Sequence, residues 1–258
     1  MDPQSYATVL CAGAGRVVEN VVVVRSVDST NLLGRRIASE FAEDESEPPP
    51  SLLVALEQTA GRGRLGRTWD SRAGLGIYAT LLVRVTVERL ALLPLAVPAA
   101  LASVLQSRLR RRVRIKWPND LQIEGRKLGG VLIEGSVRGG GPALALVGFG
   151  VNYGQRAEQL PTAFSTSIAL ESEAAPPMPE MASQLAAAVV EACVAANEAE
   201  VLARYTAFSV HHPGDTLVFK LGDELVEGVF AGFESGGRLR LRGAGGERLI
   251  SAAEVVEK

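Results

Sequence analysis

The 258 residues predict an α+β fold in two parts, a large mixed domain at 1–210 and a small β-barrel at 211–258. Three observations predict it. Strand and helix patterns alternate through the first 112 residues, whereas residues 113–151 read as strands alone. After His212-Pro213-Gly214 the composition changes to four short strands separated by glycine-rich turns. The length is ample for a buried core and suits one large domain with a small one attached.

The elements follow in order. Residues 19–27 are a β-branched strand, and Asp28-Ser29-Thr30-Asn31 then offers several N-caps. A helix follows to about Glu40, with Leu32, Leu33, Ile37 and Phe41 on one side. Residues 43–50 are an acidic, proline-ended exposed loop. Residues 51–57 and 76–87 are strands that flank a Gly- and Arg-rich loop at 59–74. Residues 88–112 read as a helix in which Pro94 and Pro98 mark starts or kinks. Residues 121–123, a Glu124-Gly125 turn and residues 127–137 make a hairpin, and 143–151 another strand. A proline-rich linker at 171–180 leads to an Ala-rich helix at 182–197 and a second helix to about Phe208. Residues 216–220, 225–233, 238–242 and 247–250 are the strands of the barrel. Within it, Arg238-Leu239-Arg240-Leu241-Arg242 alternates strictly and buries one face.

Composition excludes several functions. Hydrophobic residues make up 47% and charged residues 22%, as in soluble globular proteins. A net charge of −2 argues against a dedicated nucleic-acid binder. Cys11 and Cys193 stand alone, so neither a disulfide framework nor a Cys/His zinc site is expected. His211 and His212, the only histidines, give a Ser-His-Asp hydrolase little to work with. The N-terminus does not read as a signal peptide, and no apolar run is expected to reach the roughly 18 residues of a membrane helix. The expectation is a cytoplasmic protein without membrane or nucleic-acid partners.

Two motifs carry chemistry. Gly61-Arg62-Gly63-Arg64-Leu65-Gly66-Arg67-Thr68 fits both the dinucleotide fingerprint and a P-loop with Arg for Lys. Each needs a helix immediately afterwards, and here Trp69-Asp70-Ser71-Arg72-Ala73-Gly74 leads into a strand instead. What remains is three guanidiniums that repel one another unless an anion is expected, on a loop able to wrap a phosphate. The second motif is Lys116-Trp117-Pro118-Asn119-Asp120 followed by Lys127-Leu128-Gly129-Gly130. Lys127 starts a strand whose two glycines permit close approach of a ligand, and its charge suits a carboxylate or an activated acyl group. Asn119 and Asp120 offer ligands for a nucleotide or Mg²⁺. A hairpin with exposed polar ends is the other reading of these residues. The basic run Arg108, Arg110, Arg111, Arg112, Arg114 reads as a solvated helix end.

Together these residues resemble the biotin protein ligases, or biotin–[acetyl-CoA-carboxylase] ligases. Asp28–Asn31 looks like that family's Asp-Ser-Thr-Asn, and Glu57–Trp69 is similar to its Gln-Thr-x-Gly-Arg-Gly-Arg loop. Lys116–Asp120 matches Lys-Trp-Pro-Asn-Asp, Lys127–Gly130 matches Lys-Leu-Gly-Gly, and Gly148-Phe149-Gly150-Val151-Asn152 resembles Gly-Ile-Gly-Ile-Asn. The likeness runs from about residue 19 to 170. A lipoate ligase, the nearest rival, is not expected to carry the arginine loop with Lys-Trp-Pro-Asn-Asp.

The resemblance implies a class II aminoacyl-tRNA synthetase-like catalytic domain, a mixed sheet with helices on one face, followed by an SH3-like barrel. It implies a ligase that uses ATP and Mg²⁺ to make biotinyl-5′-AMP. The biotinyl group then passes to a lysine of the biotin carboxyl carrier protein of acetyl-CoA carboxylase. Lys127 and Arg64 would be catalytic. Ser29, Thr30, Asn31, Gln58, Arg62, Gly63, Arg64, Lys127, Gly129 and Gly130 would hold biotin. Arg62, Arg64, Arg67, Trp69, Asn119, Asp120, Lys127 and Asn152 would hold ATP, with Trp69 stacking on adenine and Asp120 the one suggested metal contact. The chain is expected to be a monomer or homodimer of the monofunctional type. A DNA-binding module needs on the order of 50–60 residues, and residues 1–18, with Arg16 their one arginine, precede the first catalytic strand.

Overall fold

The computed structural model describes residues 2–13, 18–137, 140–195, 197–221, 224–243, 245–251 and 254–256. Arg16 lies outside them. The first part comprises α1 (Pro3–Gly13), β1 (Asn20–Val24), α2 (Thr30–Glu43), β2 (Ser51–Ala55), β3 (Gly76–Val85), α3 (Val87–Arg108), β4 (Val113–Lys116), β5 (Asp120–Ile123), β6 (Arg126–Ser136), β7 (Ala143–Asn152), α4 (Ile168–Glu171), α5 (Met178–Ala195) and α6 (Glu198–Phe208). Five strands follow: β8 (Thr216–Leu221), β9 (Glu224–Glu234), β10 (Arg238–Gly243), β11 (Gly246–Ile250) and β12 (Glu254–Val256).

The first sheet is mixed and seven-stranded, in the order β1-β2-β3-β7-β6-β5-β4. Only β1 and β2 run parallel. Alternation along the central strands divides its faces. Ile77, Leu81, Val147 and Val151 join the core made with α1, α3, α5 and α6. Thr80, Gly148 and Gly150 point the other way, toward α2 and the Arg-rich loop. The helices therefore lie on both faces rather than one, and the α2 face carries the functional residues.

Three readings of the sequence need correction. The residues that α2 buries are Thr30, Asn31 and Gly34, not the expected stripe of Leu32, Leu33, Ile37 and Phe41, which stay half-buried. The helix lies too close to the sheet for large side chains: a methyl on Gly34 would fall 2.7 Å from Leu146 Cδ2. Residues 3–13, assigned no structure from sequence, form α1, which sinks Tyr6 and Leu10 into the core. Finally, α3 is long and apolar enough to cross a membrane when judged by composition rather than by uninterrupted run. It runs through Pro94 and Pro98 and buries Leu93, Leu95, Val97, Leu101 and Leu105 inside the protein.

The second sheet is antiparallel, in the order β11-β10-β9-β8-β12. It shares the core of the first part. Trp117 donates its indole N–H to Gly237 O at 2.8 Å and meets Phe219 edge-on at 5.6 Å. Tyr205 meets Phe233 edge-on at 4.8 Å. Large aromatic rings fully desolvated at one seam make the two sheets interdependent.

Candidate active site

The pocket lies on the α2 face, and its floor is a buried polar network. Ser29 caps α2 in an extended conformation, so Thr30 and Asn31 enter the helix facing the sheet. Gln58 Oε1 accepts from the Thr30 N–H at 2.8 Å, and Gln58 Nε2 donates to Ser71 Oγ at 2.8 Å. The Thr80 hydroxyl lies 2.8 Å from Thr30 Oγ1 and donates to Asn31 Oδ1 at 2.7 Å. Asn31 Nδ2 donates onward to Glu134 Oε2 at 3.0 Å. Buried polar groups are costly unless paired, and a fully paired network is rigid. Thr80, fully buried, was missed from sequence. Its signal was one hydroxyl in an apolar strand, Ala79-Thr80-Leu81-Leu82.

The Gly-Arg loop is a small hairpin. Gly63 N–H donates to Arg67 O at 2.8 Å, and Trp69 N–H to Gly61 O at 2.9 Å. Leu65 at φ 55° and Gly66 at φ 75° turn its tip. The tip presents Arg64 to the pocket and leaves Leu65 exposed. At the base, Trp69 folds over Gly150, with its indole N–H buried and without a hydrogen-bond partner. Arg62 Nη1 lies 3.8 Å from Glu134 Oε1. Glu134, also missed from sequence, thus joins the arginine loop to the floor network.

The lysine hairpin forms the opposite wall. Lys127 Nζ lies 2.7 Å from Asp120 Oδ1 and 5.3 Å from the centre of the Trp69 ring. Asn119 Nδ2 donates to Val131 O at 2.5 Å, which ties the β4–β5 turn to β6. Burial pushes the Arg64 guanidinium below its ordinary pKa, and the Asp120 charge opposes that. Arg62, Arg64, Arg67, Lys116 and Lys127 line the pocket with Asp120 the only carboxylate among the lining residues. Such an excess of cations around one cleft favours an anionic ligand. No cluster of three His, Cys, Asp or Glu able to hold a metal exists among the described residues.

Ser29, Thr30, Asn31, Gln58, Arg62, Gly63, Arg64, Arg67, Trp69, Asn119, Asp120, Lys127 and Gly130 all line this one pocket. Two expected residues do not. Gly129 faces the neighbouring strand, where a methyl would fall 2.6 Å from Gly150 O, so it serves strand packing. Asn152, read as an ATP contact, is buried and donates to Thr166 O at 2.9 Å. The basic run at 108–114 leaves Arg110, Arg111 and Arg112 exposed outside the pocket, in line with the reading of a solvated helix end.

Known proteins resemble this chain in sequence and in fold. Residues 23–152, half of the chain, match the model of the Biotin/lipoate A/B protein ligase family. The biotin–[acetyl-CoA-carboxylase] ligase of Paracoccus denitrificans is 31% identical over 247 residues, covering 88% of this chain and 96% of that protein. The bifunctional ligase/repressor BirA of Bacillus spizizenii is 33% identical over 129 residues, 49% of this chain and 39% of that one. The chain thus spans about two-fifths of the length of the bifunctional relatives it matches. In fold it resembles the biotin protein ligase of Aquifex aeolicus solved with biotin and ATP, with a TM-score of 0.69 at 23% identity over 92% of this chain and 98% of that one. The family model over half of the chain and the Paracoccus denitrificans relative matched over nearly all of its length lead to one conclusion: this chain belongs to the biotin/lipoate A/B protein ligase family.

Proposed function

We propose that this chain is an ATP-dependent ligase that activates biotin as biotinyl-5′-AMP and transfers it to a lysine of biotin carboxyl carrier protein. One observation carries the reading. Lys127, the arginine loop and Trp69 meet in one pocket whose floor is a satisfied network of neutral donors and acceptors. A neutral hydrogen-bonding floor suits the ureido ring of biotin, and the cations above it suit a carboxylate meeting a triphosphate. The names of the full-length relatives support the same substrates.

In the first step the biotin carboxylate oxygen attacks the α-phosphorus of ATP. A C(O)–O–P bond forms, the Pα–O bond to the β-phosphate breaks, and pyrophosphate leaves. Lys127 bridges the carboxylate and the α-phosphate, offsetting charge that builds between them. Arg62 and Arg64 close over the same anions, Arg67 meets the phosphates and Trp69 stacks on adenine. In the second step the carrier's amine attacks the acyl carbon, AMP leaves and the amine proton is lost. The protein supplies position and charge, with no covalent intermediate of its own. Magnesium would enter on the ATP phosphates. Asp120 is the one carboxylate at hand, so phosphate and water oxygens would complete its shell.

We read residues 1–210 as the catalytic domain, of the synthetase-like class, and residues 211–258 as an SH3-like barrel docked on it. The test is pyrophosphate release on mixing chain, ATP and Mg²⁺ with and without biotin, then label transfer to a carrier domain. Release that requires biotin supports the reading, and release that ignores biotin or follows lipoate overturns it.

A further inference from the structure

The strand that carries Lys127 is gripped by a segment that no motif marks. Lys127 N–H donates to Phe164 O at 2.7 Å, and Lys127 O accepts from Thr166 N–H at 2.9 Å. Both backbone groups of this residue are therefore held by residues 164–166. On the other side the ladder is irregular. Leu121 pairs with Gly129 and Gln122 with Lys127, so the register slips at this point. A slip loosens the direction of the nearby side chains unless something else fixes the backbone.

Glu171, at the end of α4, closes that fixture. Its side chain is 1% exposed, and Oε1 accepts from both the Thr166 hydroxyl and, at 2.8 Å, the Arg126 guanidinium. Arg111 Nε lies 3.7 Å from the other carboxylate oxygen. One carboxylate thus ties together Thr166, which holds the Lys127 carbonyl, and Arg126, the residue before Lys127. Successive side chains of a strand point to opposite faces. Arg126 is therefore anchored behind the strand while Lys127 reaches forward to Asp120. Neither Glu171 nor Thr166 lines the pocket.

We infer that Glu171 is a positioning residue for Lys127, holding Thr166 and Arg126 so that the Lys127 ammonium is aimed across Trp69 at Asp120. The kinetic part of this inference rests on the ligase reading, whereas the structural part does not. A buried carboxylate with two cations around it is retained at a cost unless the pairing does something an apolar contact cannot. Fixing one lysine at the site of charge development is such a task, because a misplacement of about 1 Å lowers rates by up to about 100-fold.

Two measurements on the full chain test it. In the first, an amine-acylating reagent labels the lysines, and mass spectrometry reads Lys116, Lys127 and Lys220 separately. Glu171→Ala should speed labelling of Lys127, freed from Asp120, and leave Lys116 and Lys220 unchanged. In the second, single-turnover formation of the adenylate should slow about 10- to 100-fold in Glu171→Ala, with KM for ATP little changed. Glu171→Gln, whose amide oxygen still accepts both bonds, should recover most of the rate. In a Lys127→Ala background the same Glu171→Ala change should add no more than about twofold, the limit for residues acting as one unit. Full additivity in that cycle, or unchanged Lys127 labelling, overturns the inference. If Glu171→Ala does not fold, Thr166→Val cuts one tie, keeps the Arg126 pair and answers the same two questions. If the wild type makes no adenylate, the ligase reading fails, and the labelling experiment still decides the role of Glu171.

Discussion

Gly150 sits where the sheet touches the ring assigned to adenine, which makes Gly150→Ala a graded test of the nucleotide end. The new methyl would fall 2.7 Å from Trp69 Nε1 and 2.8 Å from Cε2. Non-bonded carbons settle near 3.5–4.0 Å, so either ring or strand must give by about 1 Å. β7 is paired along its length with β3 on one side and β6 on the other, so the ring is what moves. Overpacking of this size costs roughly 1–3 kcal/mol. Assigned wholly to binding, that is a loss of roughly 5- to 150-fold for the group resting on the ring. KM for ATP in biotin-dependent pyrophosphate release should rise within that range. KM for biotin at saturating ATP should stay within about twofold, because the two ends share few partners. Trp69 emission should shift to the red, while Trp117, locked under the second sheet by its bond to Gly237, should not change. Gly148→Ala is the internal control, since its methyl strikes Asn31 Oδ1 and should damage the biotin end instead. An unchanged KM for ATP with unshifted emission would refute the placement of adenine on Trp69. Equal loss of ATP affinity in both glycine variants would do the same.

Lys127→Ala should lower adenylate formation by about 10²–10³ with the fold intact, since the ion pair it loses, to Asp120, is partly exposed. Biotin-dependent pyrophosphate release near the wild-type rate would remove it from the catalytic role. Thr80→Val deprives Asn31 Oδ1 of its donor, a cost of roughly 1–3 kcal/mol. It should raise KM for biotin and leave KM for ATP unaltered, and steady-state kinetics with each substrate varied would check this. His211 is buried beside Phe230 at the seam of the two sheets, and burial pushes its pKa from 6.5 down to about 4. The folded form therefore holds the proton less tightly than the unfolded one. Stability is full above about pH 6.5 and is lost as pH falls toward 4, by roughly 3 kcal/mol at most. Urea denaturation at pH 7.5 and 5 should show roughly 2 kcal/mol of that loss in the wild type and much less of it in His211→Phe. Parallel losses in the two proteins would show that His211 does not control it.

The strands and the chemistry-bearing motifs were legible because both are local. A β-branched run such as Asn20–Val24, or the alternation at Arg238–Gly243, declares itself within a few residues. Asp28–Asn31, Gly61–Thr68 and Lys116–Asp120 carry their chemistry in adjacent side chains. What escaped was set by contacts distant in sequence. The Leu stripe of α2 suggested a buried apolar face, yet the helix packs through Thr30, Asn31 and Gly34 because Thr80 and Leu146 meet it there. Helix α1 has no clear amphipathic pattern and owes its place to α5 and β1. Gly129 and Asn152 stood inside motifs and were read as ligand contacts, but Gly129 lies tight against Gly150 of the neighbouring strand and the Asn152 amide is bonded to Thr166 O. Thr166 and Glu171 lie in no motif at all, and only the folded chain brings them to Lys127.

The site joins two physical regimes. Its floor is neutral and buried, with Thr30, Asn31, Gln58 and Thr80 bonding one another in fixed geometry. Hydrogen bonds of this kind select a ligand by shape, since a group that fails to match leaves a buried donor or acceptor unpaired. Its upper walls are charged and half-exposed, and the cations there are balanced by the chain's own acids. Asp120 faces Lys127, and Glu134 faces both Arg62 and Arg35. Without those carboxylates, the arginines and lysines crowded into one cleft would repel one another and loosen the loop. With them, the cations are held in place within the cleft. On the proposed ligase reading, an incoming carboxylate and triphosphate would take over from Asp120 and Glu134 as the partners of Lys127 and Arg62. That exchange would replace one set of ion pairs by another, leaving little reorganisation for the moment when charge develops between biotin and the α-phosphate.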